Sequence, residues 1–123
     1  LELQRREHRL IQAERMASVI ERTREEVSAV RKREQRDIHY NMAVVYTKEG
    51  KIREAEQEYL RSLLVDPTDP DVHYNLAILY EDELSDPRKA AMHYRRYLKL
   101  KPHGADAARV KEWLMAIEVL KPE

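Results

Sequence analysis

A chain of 123 residues with no cysteine, two glycines and no phenylalanine has room for one small domain and an appendage, and no means of disulfide or thiol chemistry. Its 23 basic residues are matched by 23 acidic ones, which argues against a general polyanion binder and therefore against nucleic acid as a partner. Helix formers dominate, no stretch alternates apolar and polar between turn residues, and no run of about 18 apolar residues exists, so the composition predicts an all-α fold without membrane contact.

Residues 1–36 contain neither Gly nor Pro and predict a long charged helix. They carry ten Lys/Arg against seven Asp/Glu, a balance of +3, and the remainder carries 13 against 16, a balance of −3. Leu10, Ala13, Ala17, Ile20 and Val27 fall on a 3-4 spacing that lines one stripe of this helix, interrupted by Arg24 and Arg31. A helix so polar is marginal alone. It needs either a second copy across a coiled-coil seam, giving a homo-oligomer of which a dimer is the simplest, or a seat on the rest of the chain. Both readings stay open. The run RKREQR, 31–36, has an interspersed glutamate and no aromatic residue, and reads as a solvated helical face. The chain opens at Leu1 without methionine and reads as a trimmed fragment; a cytoplasmic location is the default, but an upstream signal or anchor would be invisible.

From Asp37 the punctuation becomes regular, and nothing prevents the first helix from running through it. Residues 37–49 predict a helix ended by Gly50, which accepts the left-handed turn. A second helix, 52–65, stops at Asp66-Pro67. A third covers 70–83. Ser85-Asp86-Pro87 then supplies an N-cap followed by proline at the first helical position, where a missing N–H is harmless. The fourth helix, 87–100, ends at Lys101-Pro102. A last amphipathic helix, 105–120, carries Val110, Trp113, Leu114, Ile117 and Leu120 and closes before Pro122.

The segment DIHYNMAVVY, 37–46, returns 34 positions later as DVHYNLAILY, 71–80, with six identical letters and apolar-for-apolar exchanges elsewhere. A reaction centre is built once from unlike parts; stacked units must present the same face repeatedly. Ala43 with Ala55, and Ala77 with Ala90, would let paired helices approach closely. Met42, Tyr46 and Tyr59, then Leu76, Tyr80 and Tyr94, would fill the space between hairpins. The second copy carries one extra residue between Tyr80 and Ala90, and Leu84 or Ser85 stands in place of Gly50. Tyr97 stands where the first copy has Ser62, which predicts different packing beyond it.

His39, Met42, Ala43, Tyr46, Ala55, Tyr59 and Pro67, then His73, Leu76, Ala77, Tyr80, Ala90, Tyr94 and Pro102, resemble the tetratricopeptide repeat. The resemblance implies an all-α array of two α-hairpin repeats, 36–69 and 70–104, followed by a capping helix over 105–120 and preceded by the charged helix 1–36. It also implies a non-enzymatic scaffold whose first helices line a groove that takes a protein or peptide. The groove positions would be Tyr40, Asn41, Val44 and Lys48, then Tyr74, Asn75 and Ile78, with Arg109 on the last helix; Asp37, Asp71 and Glu81 flank them. The other reading of Tyr40, Asn41, Tyr74 and Asn75 is contact between adjacent helices.

One subgroup of the family clamps C-terminal carboxylates with groove Lys, Asn and Arg. Only Asn75 matches that set, with Tyr40, Val44 and Asp106 at the other positions, so the groove reads as mixed aromatic and acidic and suits an apolar or somewhat basic partner. His39 and His73 occupy matching positions but lack further ligands at metal spacing. No catalytic group, metal or cofactor is expected. The competing function is structural self-association through residues 1–36.

Overall fold

The computed structural model describes residues 1–120. Among them are five α-helices and no strand: α1 (Glu2–Lys48), α2 (Ile52–Val65), α3 (Pro70–Asp82), α4 (Pro87–Leu100) and α5 (Ala107–Leu120). Pro122, expected to end the last helix, lies outside the described residues. The chain divides into two compact units, Leu1–Glu34 and Gln35–Glu123. Every residue of 1–34 is exposed, including Leu10, Ile20 and Val27.

The second unit holds the core. Ala43, Ala55, Ala77 and Ala90 are all fully buried, and the methyl-sized side chain at each lets its helix close on its neighbour. Around them lie Tyr59, Leu76, Tyr80, Tyr94, Tyr97 and Val110, all buried, with Trp113, Leu114 and Ile117 of α5 packed against the cluster. Fully burying one such large side chain contributes roughly 1.5–3 kcal/mol. Two of the residues expected to fill space between hairpins do so less than their counterparts: Tyr46 is half-buried and Met42 is exposed. Within this unit no hairpin precedes the first repeat, so those side chains have nothing to fill against.

The turn chemistry explains where the extra residue goes. At the end of α1, Gly50 has φ +78°; its N–H donates to Thr47 O and the Lys51 N–H donates to Tyr46 O, closing the helix as a Schellman motif. At the end of α3 the register-matched carbonyl, Tyr80 O, receives the N–H of Asp86, one residue further along, and Leu84 N–H reaches back five residues to Leu79 O. A widened turn thus absorbs the insertion. The left-handed position falls on Ser85, at φ +51°, so of the two candidates it is Ser85 that takes the place of Gly50. Asp69 and Asp86 then cap α3 and α4 by accepting from Asp71 N and Lys89 N, each followed by proline in the first helical turn.

Tyr97, the large ring in place of Ser62, is buried against Tyr74 at 5.4 Å between ring centroids. Its hydroxyl also lies 3.2 Å from where a side chain on Gly104 would begin, so the α4–α5 turn passes close over it. In the first repeat the small Ser62 instead leaves room for the backbone of α1, and its hydroxyl donates to Arg36 O at 3.2 Å.

Candidate functional site: the first-helix face of the repeats

The sequence-predicted groove residues lie on α1, α3 and α5, the first helices of successive units. Two sets of them are joined directly. The Asn75 amide donates to the Tyr40 hydroxyl at 2.9 Å, linking α3 to α1. Tyr74 sits 6.2 Å from Trp113 of α5, and the Arg109 guanidinium lies over the Trp113 ring, 5.8 Å from its centre. A row therefore runs from Tyr40 through Asn75 and Tyr74 to Trp113 and Arg109, crossing all three helices.

These side chains are also packing groups. Tyr40 meets Tyr59 edge-on at 6.0 Å, and Tyr40, Val44, Tyr74 and Ile78 are half-buried against the core cluster. Asn75 is half-buried as well, with one amide donor already engaged. Asn41, its register-matched twin on α1, is exposed. Lys48 and Arg109 are exposed too, and Arg109 pairs with Asp106 at 3.4 Å. Among the flanking acids, Asp37 is paired with Arg36, Asp71 is exposed, and Glu81 accepts from the Tyr94 hydroxyl at 2.8 Å. The rings and the Asn75–Tyr40 bond are thus contacts between helices, and Asn41, Lys48, Asp71 and Arg109 are exposed polar groups.

Several polar residues that sequence reasoning passed over hold this face in position. Arg36 was part of a basic run that reads as solvated, yet it is only a quarter exposed and ties α1 to the α2–α3 turn through Asp66 at 3.2 Å and Asp69 at 3.9 Å. Asp66 is held below its usual range, first by hydrogen bonds from Thr68 and then by Arg36. In the first hairpin, His39 Nδ1 meets Glu58 Oε2 at 2.6 Å and Arg61 donates to the other carboxylate oxygen. Burial pushes Glu58 up, but the bonds from His39 and Arg61 outweigh it and leave the carboxyl below its usual range. In the second hairpin His73 pairs instead with His93. Burial raises the Tyr59, Tyr80, Tyr94 and Tyr97 hydroxyls above the ordinary phenol value, so these groups stay neutral donors at physiological pH.

A separate cleft of about 390 Å³ lies between α4 and α5, lined by Pro87, Arg88, Ala91, Arg95, Ile117 and Glu118. Two of its lining residues, Arg95 and Glu118, form an ion pair at 2.8 Å, and it shares no residue with the row above. Among the described residues no group of three or more His, Asp or Glu is arranged to hold a metal ion, and no helix is long and apolar enough to cross a membrane.

Residues 44–82, from within the first helix of the first repeat through the first helix of the second, match the family model of the TPR repeat. Over that stretch the chain is similar to the tetratricopeptide repeat, which supports a protein of that repeat family. Repeats of this class are protein–protein interaction scaffolds and are typically non-catalytic. No curated protein matches the sequence.

Proposed function

We propose that this chain captures a segment of a partner protein, an extended peptide or a single helix, on the face formed by α1, α3 and α5. The observation that carries the reading is the row Tyr40–Asn75–Tyr74–Trp113–Arg109, which sets aromatic area beside polar groups across three helices. Aromatic rings offer contact area at little conformational cost, and exposed amides can bond a peptide backbone in either sense. The exposed Asp71 and half-buried Glu81 favour an apolar or basic segment. Because Tyr74 and Tyr40 also support the core, the informative substitutions are at exposed positions. Asn41→Ala combined with Arg109→Ala is expected to weaken partner capture about tenfold or more while leaving the melting curve unchanged. Met92→Ala, exposed on α4, is the control and should capture normally. Equal capture by all three proteins would reject the groove.

A second reading is self-association through the first unit. It is supported by Leu10, Ile20 and Val27, exposed at 62%, 47% and 43%, on a stripe where Ala13 and Ala17 leave room for close approach. Light scattering is expected to give twice the monomer mass for the intact chain. Replacing Leu10, Ile20 and Val27 together by Gln should return it to the monomer. A monomeric intact chain at high micromolar concentration would exclude this reading without touching the first.

A further inference from the structure

The two repeats solve one problem in opposite ways. Tyr59 and Tyr94 are register partners, so the residues before them, Glu58 and His93, match, as do Arg61 and Arg96 three positions further on. The first hairpin pairs His39 with the carboxylate of Glu58. The second sets His73 Nδ1 against His93 Nδ1 at 2.9 Å, with His73 and His93 only 1% and 4% exposed. The His93 ring meets His73 edge to edge, centroids 5.2 Å apart, and has the near-parallel Tyr80 ring as its other aromatic neighbour, centroids 5.6 Å apart.

The protons on this pair follow from its partners. His73 Nε2 lies 2.8 Å from Pro67 O, and a carbonyl only accepts, so Nε2 carries the hydrogen. Neutral His73 therefore presents a bare Nδ1, and His93 must donate from its own Nδ1. One added proton can reach only His93 Nε2 without breaking these bonds, and it creates a buried cation. A second proton puts N–H groups on both facing nitrogens and breaks the pair outright.

We infer that the His73–His93 pair is an acid-sensitive latch between α3 and α4, weakened when one added proton becomes a buried charge and broken when a second is added. The charged side chains that act most on His93 are the cationic Arg96 and Lys89. On α4, Lys89 and Arg96 add positive charge; on α3, the neighbour is neutral Tyr80. From α2, Glu56 and Arg53 lie beside the Tyr80 hydroxyl, as does Asp86 at the head of α4. In the α2–α3 turn, Asp66 and Asp69 are engaged by Arg36, and on α5 Glu118 is engaged by Arg95. Burial first, then the neighbouring His73, Arg96 and Lys89, hold His93 down to about 4 from its ordinary 6.5. The folded state thus binds fewer protons than the unfolded chain between those values. Stability is fully present above pH 6.5, falls as pH drops towards 4, and levels off below. Glu58 and Asp66 are also held below their ordinary 4.5 and 3.8, so they too lose stability on acidification, but in a lower pH window than His93. The latch stands independently of partner capture, although its opening would also disturb Tyr74 and Asn75, the next residues along α3.

The test is urea unfolding of the whole chain, followed by far-UV circular dichroism, between pH 7.5 and 4.5. The folded-to-unfolded ratio should fall by on the order of a hundredfold between pH 6.5 and 4.5, about tenfold per unit for one excess proton. His93→Glu transplants the first repeat's arrangement, with Arg96 in the role of Arg61, and should flatten or reverse that fall. A wild-type protein indifferent to pH over this interval, or a variant that keeps the wild-type fall, overturns the latch. Should His93→Glu fail to fold, imidazole nitrogen NMR of the wild type decides. Support is His73 as the Nε2–H form and His93 as the Nδ1–H form, untitrated at pH 5.5; a folded-state His93 titrating near 6.5 refutes it.

Discussion

Truncating Tyr94 to alanine is expected to destabilise the repeat body by about 3–5 kcal/mol, the range for removing a buried aromatic ring. Tyr94 is 1% exposed and lies in α4, with its ring 5.8 Å from Trp113 of α5 and its hydroxyl on Glu81 of α3. Removing the ring opens a void that three helices share, and none can collapse into it without moving the other two. Domains of this size are stable by only about 5–15 kcal/mol, so a large fraction of the margin disappears. Tyr94→Phe separates the two parts of the side chain. It keeps the ring and removes one hydrogen bond to Glu81, whose carboxylate is half-exposed and can take water instead, so its effect should be about 1 kcal/mol. Urea midpoints at pH 7.5 measure both. Equal effects from the two variants would mean that the hydroxyl, not the ring, holds the three helices together.

The same residue shows why so much of the fold could be read from the chain. Tyr94, Tyr59 and the four alanines recur because each hairpin must offer the next the same combination of bulk and clearance. The helix ends were legible because Gly50 and the prolines at 67, 87 and 102 act through backbone geometry that needs no tertiary context. Side-chain pairing is different. Arg36 sits in a basic run with Arg31, Lys32 and Arg33, and nothing local distinguishes it from them; only the fold brings Asp66 and Asp69 within reach. His93 falls outside the recurring positions of the repeat, so its meeting with His73 became visible only when α3 and α4 were seen in register. A comparison of Glu58 with His93 in the aligned repeats would have flagged the exchange. The chain also gave no sign of how far Tyr40, Tyr74 and Asn75 are engaged in contacts between helices.

A repeat phrase encodes a residue's place within its unit, not the place of the unit in the stack, and this limit leads to the second large prediction. Met42 and Leu76 hold the same position in the duplicated phrase. Leu76 is fully buried and belongs to the core, whereas Met42 is 39% exposed. Leu76→Ala is expected to cost about 2–5 kcal/mol, because the lost side chain leaves a cavity between the first hairpin and the second. Met42→Ala should cost well under about 1 kcal/mol, since the removed atoms already face water on one side and Ala is the better helix former. Thermal unfolding of the two variants beside the wild type measures the contrast. If the two cost the same, Met42 is covered in solution, and the side of α1 that carries it has a partner: a second copy of the chain or a bound protein. A concentration-dependent midpoint for the wild type alone would then identify the second copy.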